Sequence, residues 1–266
     1  MLKTRILAAA VMLPLAVAWV WLAPFWLFSA IAAIILLAAG WEWGALAGLG
    51  RALQRLAYLV GLVVLMAICW WAVQFPQPFL PVFGFFSAFW LLVLFTLGRA
   101  GLWNSRLVFL LQGLMVLVPA FLALLVLKRI NGGTSLVFIV FAVVWSADIG
   151  AYFAGRAAGR HKLSPRVSPG KTWEGFLGGV VLAAVAGAVA SPWSPVSIYL
   201  LVPLAVITAA LSVVGDLAES QLKRFAGAKD SGRLIPGHGG ILDRIDSLCA
   251  ALPVFVLGIE LGQKLW

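Results

Sequence analysis

The chain has 266 residues, of which 64% are hydrophobic and only 11% charged, with a mean hydropathy of +1.08. Soluble globular domains are roughly half apolar, so this composition excludes one and points to a polytopic membrane protein. The formal net charge of +10 does not signal nucleic-acid binding. The basic loops lack the interleaved aromatics of a single-strand platform, and membrane topology with anionic head groups accounts for the charge.

A helical span needs about 20 consecutive apolar residues. Nine such runs follow one another, near 6–22, 25–43, 56–75, 79–97, 107–127, 134–154, 175–192, 197–217 and 242–264. They predict an all-α bundle of nine transmembrane helices in a single domain over 1–266. In the first run, Lys3 and Arg5 precede apolar residues, and Ala16-Val17-Ala18 has the look of a signal-peptidase site. The hydrophobicity continues through Trp19-Val20-Trp21-Leu22, however, so we read a retained first helix. Only Ala23-Pro24 separates it from the second run, which predicts a tight helical hairpin. Cys69 and Cys249 both fall inside runs and read as small core residues, not as a disulfide or metal pair.

Cytoplasmic loops collect Lys and Arg. With the N-terminus in the cytoplasm and the C-terminus outside, 16 of the 19 basic residues face inward, and only Lys128, Arg129 and Lys264 face out. This alternation divides the chain into N-terminal helices over 1–130 (spans one to five) and a C-terminal half over 131–266. The second half carries two cytoplasmic loops, 155–174 and 218–240.

Seven of the nine carboxylates lie between 148 and 246, leaving only Glu42 and Glu260 elsewhere. An acid inside a span is costly, about 2.5–3.5 kcal/mol at a helix centre, and marks function by default. On the nine-span topology Asp148, Glu174, Asp216 and the pair Asp243/Asp246 come from four helices to one membrane face. Asp243 and Asp246, at i and i+3, share a helix face. The plainer reading pairs them with Arg244, Arg224 or Lys223, or lets them complement the helix dipole. With Asp216 converging from another helix, a metal site becomes the stronger reading. Hard oxygen donors without a Cys/His cluster favour Mg²⁺ over zinc.

Eight of the 27 residues from Ser220 to Asp246 are charged. Within that stretch, Pro236-Gly237-His238-Gly239-Gly240 precedes the last run. Glycines there allow close approach to a ligand, and amides at a helix N-terminus attract anions, although a plain turn would use the same residues. Lys223, Arg224, Lys229 and Arg233 surround this turn, so metal-binding acids, basic groups and a glycine turn meet the needs of a polyphosphate–Mg²⁺ complex. No GxxxxGK[ST] or GxGxxG is present, so neither a P-loop nor a Rossmann site is supported. His238 reads equally as a general acid or phosphate ligand and as a structural hydrogen-bonder, while His161, between Arg160 and Lys162, reads as solvated.

A second polar island runs from Ser168 to Gly175. Ser168 or Thr172 would cap the seventh helix, with Glu174 in its first turn. Lys171 and the two hydroxyls would also suit a phosphate, and Trp173 an interfacial belt.

The pattern Ser220-x-Leu222-Lys223-Arg224-x₄-Lys229-Asp230…Ile235-Pro236-Gly237-His238-Gly239-Gly240-Ile241-x-Asp243-Arg244-x-Asp246 resembles the signature of the phosphatidate cytidylyltransferases, or CDP-diacylglycerol synthases. Ser168-Pro-x-Lys171-Thr172-x-Glu174-Gly175 is similar to that family's second motif. The resemblance covers about 35 residues of the C-terminal half, whereas the first 130 residues resemble the family only in being apolar helices. It implies a dimeric, multi-pass enzyme of the bacterial inner membrane that makes CDP-diacylglycerol and diphosphate from CTP and phosphatidic acid, with its site facing the cytoplasm. It also implies Mg²⁺ and a second ion such as K⁺. By motif position Asp243, Asp246 and, outside the signature, Asp216 would be metal ligands. Lys223, Arg224, Lys229 and Arg244 would handle phosphates, with His238 beside them. Ser168, Lys171, Thr172, Ser220, Gly239 and Gly240 would line the nucleotide site.

Two rivals remain on the sequence. A related CTP-dependent enzyme acting on another lipid would share the motifs. An ion-coupled transporter would place acids at midplane in paired halves, but here they cluster at one end and no internal repeat is visible. The D-G-x₂-A-R core of the CDP-alcohol phosphotransferases is absent.

Overall fold

A computed structural model describes residues 14–75, 78–99, 105–232, 234 and 239–265, with side chains as far as 262. In a bilayer each backbone polar group must be satisfied within its own element, so long apolar runs become helices. They are α1 (described over 14–22), α2 (Phe25–Leu46), α3 (Ala52–Ala72), α4 (Leu80–Thr96), α5 (Arg106–Arg129), α6 (Gly133–Ala158), α7 (Trp173–Ala190), α8 (Ile198–Phe225) and α9 (Leu242–Leu265). Among the described residues seven are long and apolar enough to cross a membrane, α2, α3 and α5 to α9; α4, with 17 residues, is shorter. The expected α1–α2 hairpin is present, turning at Ala23 and Pro24.

α5 is the buried centre of the bundle, packed on α2, α3, α6 and α9. α3 buries only Leu62, Met66 and Cys69 and turns Leu53, Val60, Val63 and Val64 outward. An apolar exterior of this extent fits lipid rather than water. α6 and α7 pack through small residues, Gly150 lying against the Gly178 carbonyl, as close helix pairs in membranes do. Cys69 and Cys249 are both buried and free, as expected of core residues.

Two stretches differ from their sequence reading. α8 does not stop near 217 but continues to Phe225, so Glu219, Ser220, Lys223 and Arg224 are helical and not part of a loop. The polar residues recur at three- and four-residue spacing, which keeps one face hydrophilic as the helix leaves the apolar layer. Most of 155–174 is also structured. After α6, strands β1 (Lys162–Ser164) and β2 (Ser168–Thr172) form an antiparallel hairpin, pairing Lys162 with Thr172 and Ser164 with Ser168. Thr172 then caps α7, its hydroxyl accepting from the Gly175 amide at 3.1 Å, with Glu174 in the first turn.

Long-range contacts sort the helix termini into two ends. At one, Glu42 of α2 meets the start of α9, the Gly98 amide after α4 donates to Gln221 of α8 at 3.4 Å, and Arg224 of α8 reaches the Val167 carbonyl of the hairpin at 3.5 Å. At the other, Lys128 of α5 donates to the Val20 carbonyl and to Thr134, while Arg129 donates to Gln74.

Candidate active site

α8 and α9 bring the acids together. A Cβ on Gly215 would stand 2.5 Å from the Asp246 carbonyl oxygen, so only glycine lets the two backbones touch at this level. Asp216 and Asp246 consequently face each other electrostatically, with Lys171 and Glu219 also in range. Asp148 of α6 lies within the influence of Asp216 and Lys171. Of the acids expected at this face, Glu174 is drawn aside: it accepts from the Arg160 and His161 amides, and its Oε1 lies 2.6 Å from His161 Nδ1. His161 is thus paired as well as solvated, and the pair fastens the base of the hairpin to α7.

Lys223 Nζ lies 2.7 Å from Glu219 Oε2 and 2.8 Å from Asp243 Oδ1, bridging α8 to α9. The carboxylate of Asp243 also accepts from the Ser231 amide at 3.0 Å and the Gly240 amide at 2.8 Å. Asp243 therefore ties down both flanks of the loop before α9. Gly239, at φ 86°, turns the chain into this arrangement in the left-handed region that favours glycine. Lys171 Nζ lies 2.6 Å from Asp216 Oδ2, and Ser220 donates to the other oxygen of the same carboxylate at 3.4 Å.

Two clefts flank strand β2. One, of about 530 Å³, is lined by Ser168, Ser220, Lys223, Arg224 and Lys229 with Val167, Gly227 and Ala228, and no acid is among these. The other, of about 480 Å³, holds Asp148, Asp216, Lys171 and Arg156 against an apolar wall that includes Ala151, Phe176 and Val213. Five of the residues singled out in the sequence thus line the first cleft, Ser168, Ser220, Lys223, Arg224 and Lys229, while Lys171, Thr172 and Asp216 line the second. Arg244 lines a third, apolar cavity with Trp19, Ile245 and Leu248. His238 lies outside the described residues, as does Arg233.

Among the described residues no three His, Cys, Asp or Glu side chains stand around a common point in metal-holding geometry. The chemistry of the donors nevertheless suits a hard cation. Glu219 is 2% exposed, its Oε1 has no hydrogen-bond partner, and it faces Asp246. A buried carboxylate oxygen without a partner, beside a second acid, is the kind of hard donor that Mg²⁺ takes. Sequence reasoning counted Glu219 among the acids but gave it no role, because a motif ranks positions without revealing which side-chain oxygen ends up without a partner.

Residues 3–261 match the Cytidylyltransferase family. The chain belongs to that family. Relatives of this cytidylyltransferase include two named phosphatidate cytidylyltransferase that align along nearly their whole length. One, from Pseudomonas aeruginosa, is 39% identical over 96% of both chains, and one from Haemophilus influenzae is 36% identical over 96% of this chain and 97% of its own. A Brucella suis protein of the same name is 54% identical, over 47% of each chain. The transporter alternative is disfavoured by this membership.

Proposed function

We propose that this cytidylyltransferase moves the CMP unit of CTP onto phosphatidic acid, yielding CDP-diacylglycerol and diphosphate. The observation that carries the reading is the Lys171–Asp216 pair, which lines the apolar-walled cleft and is linked to the basic one through Ser220. The basic, acid-free cleft suits the triphosphate of CTP. The apolar-walled cleft between α6, α7 and α8 suits the head of a lipid entering from the bilayer.

The chemistry asks little of a general base. A phosphate monoester has a second pKa of about 6, so the lipid phosphate is largely dianionic at neutral pH. One of its oxygens attacks the α-phosphorus of CTP. The new P–O bond forms as the α–β phosphoanhydride bond breaks and diphosphate departs with the bonding pair. What opposes this step is repulsion between two polyanions, and what favours it is alignment and charge neutralisation. Lys223, Arg224 and Lys229 supply positive charge along the leaving diphosphate, while Lys171 sits where the two substrates meet. Asp216 and Asp246, with Glu219 behind them, are the residues that would hold Mg²⁺; Asp243, its oxygens engaged by Lys223, Ser231 and Gly240, would shape the loop. Bound there, the cation would neutralise phosphate charge.

The same reading puts this end of the bundle in the cytoplasm of a bacterium, at the inner membrane, with nine spans. The two-ended sorting of helix termini supports it, since Lys128 and Arg129 lie at the end away from the clefts. A homodimer is part of the proposal by family resemblance alone. Labelled CTP supplied to the detergent-purified protein with and without phosphatidic acid tests the activity. Label entering the lipid fraction only when phosphatidic acid is present is the expected result, and its failure to do so would sink the assignment.

A further inference from the structure

We propose that Glu42, in the N-terminal half, is a positioning residue for the active-site loop. The inference rests on the reading that Asp243 and the α9 N-terminus belong to the catalytic site. Glu42 is only 3% exposed, four residues before the end of α2. A buried carboxylate in an apolar bundle carries a large desolvation cost; here Oε2 is engaged, while Oε1 is buried with no hydrogen-bond partner among the described residues.

Glu42 Oε2 accepts from the Leu242 amide at 2.9 Å and from the Ser231 hydroxyl at 3.3 Å. The first is a cap on the α9 N-terminus, supplied from 200 residues away, where a negative group also complements the helix dipole. The second fixes Ser231 from one side while Asp243 accepts its amide from the other. Ser231 Oγ in turn accepts from the Asp243 amide at 3.3 Å. Glu42, Ser231 and Asp243 therefore form one chain of contacts, and Asp243 passes it on to Lys223.

The described residues on both flanks of the loop leave room for this carboxylate. A Cβ on Gly232 would lie 2.1 Å from Glu42 Oε1, and one on Gly240 would lie 2.5 Å from Glu42 Oε2. Two of the loop's glycines thus leave room for a side chain from the other half of the protein. None of the motifs that point to the site includes Glu42.

Because one oxygen takes both hydrogen bonds, the proposal ranks the substitutions. Glu42→Gln keeps an acceptor at the same reach and should retain most of the parent kcat. Glu42→Asp falls short by one methylene, and Glu42→Ala removes the acceptor. Both should lower kcat, Ala on the order of 100-fold, as misplacement by about 1 Å can, with little change in KM for phosphatidic acid. Hydrogen exchange supplies a readout that needs no turnover: peptides covering 228–245 should exchange faster in the Ala and Asp variants than in parent or Gln, with the rest of α9 unchanged. If Gln is as impaired as Ala, or if exchange over 228–245 is the same in parent and Asp, the positioning role is wrong. Should Glu42→Ala fail to fold, the Gln and Asp variants still decide between these outcomes. A parent protein that shows no transfer to phosphatidic acid would instead overturn the activity, leaving the exchange comparison to judge Glu42.

Discussion

The ammonium of Lys171, on the strand that ends at α7, lies 2.6 Å from Asp216 Oδ2 on α8. One ion pair thereby ties the Ser168–Gly175 island to α8 inside the apolar-walled cleft, and Ser220 of the basic cleft donates to the same Asp216 carboxylate. Both side chains keep access to the cleft, at 25% and 32% exposure, so the pair is available to a ligand and is not sealed into the core. Such a partly solvated pair adds little stability, about 0–1 kcal/mol. Its place in the site, more than its energy, gives it meaning.

Lys171→Gln should therefore leave the melting temperature in detergent almost unchanged while lowering kcat by about 10²–10³-fold, the scale for loss of one preorganised electrostatic contact to a developing charge. A melting temperature lowered in step with activity would return the pair to a purely structural role.

The two acids at i and i+3 on α9 should separate experimentally. Asp246 faces Asp216 and Glu219, whereas Asp243 holds the amides of Ser231 and Gly240 and the ammonium of Lys223. For Asp246→Asn we expect turnover to be lost and the Mg²⁺ needed for CTP binding to rise sharply, in a protein that folds normally. For Asp243→Asn we expect faster hydrogen exchange over 228–245 as well as lost activity. Titrating Mg²⁺ against fluorescent CTP binding, together with exchange on both variants, makes the comparison. Identical behaviour of the two would mean that they share one role.

Much of this was legible in the sequence, for definite reasons. The helices follow from unbroken apolar runs, and the α1–α2 turn follows from Ala23-Pro24. Of the two hydroxyls offered as a cap for α7, Ser168 and Thr172, the structure uses Thr172, the one placed just before the helical run with Glu174 behind it. Other features could not be read. The extension of α8 to Phe225 was hidden because Glu219, Lys223 and Arg224 look like loop residues until Lys223 is seen bridging Glu219 and Asp243. The β1–β2 hairpin rests on so few residues that no alternating pattern announces it. Glu42 was one isolated acid in a run of apolar neighbours, and its partners Ser231 and Leu242 are far along the chain. Local pattern reports local structure; contacts across 200 residues need the fold.

Orientation in the membrane is tested by cysteine accessibility. On a background in which the buried Cys69 and Cys249 are replaced, a cysteine at Arg160 should react with an impermeant reagent only from the cytoplasmic side of sealed vesicles. A cysteine at Trp193, which is 70% exposed at the opposite end, should react only from the other side. Labelling of both from one side would break the alternation and the cytoplasmic placement of the clefts.

The basic residues of the acid-free cleft should not respond alike. Lys223 is largely enclosed and bridges two carboxylates, so Lys223→Gln leaves Glu219 and Asp243 without their shared cation. Breaking a buried pair by removing one partner is strongly destabilising, about 3–5 kcal/mol where burial is complete, so this variant should lose thermal stability together with activity. Arg224 and Lys229 are exposed at the cleft and bear no such bridge. Their Gln variants should keep the parent melting temperature and raise the KM for CTP, or lower kcat where the contact forms only in the transition state. The KM for phosphatidic acid, anchored partly by its acyl chains, should move much less. Arg224→Lys should restore activity only in part, because a compact ammonium does not reproduce the planar fork of a guanidinium on phosphate oxygens. Parent-like CTP kinetics in both the Arg224 and Lys229 variants would remove the triphosphate from this cleft.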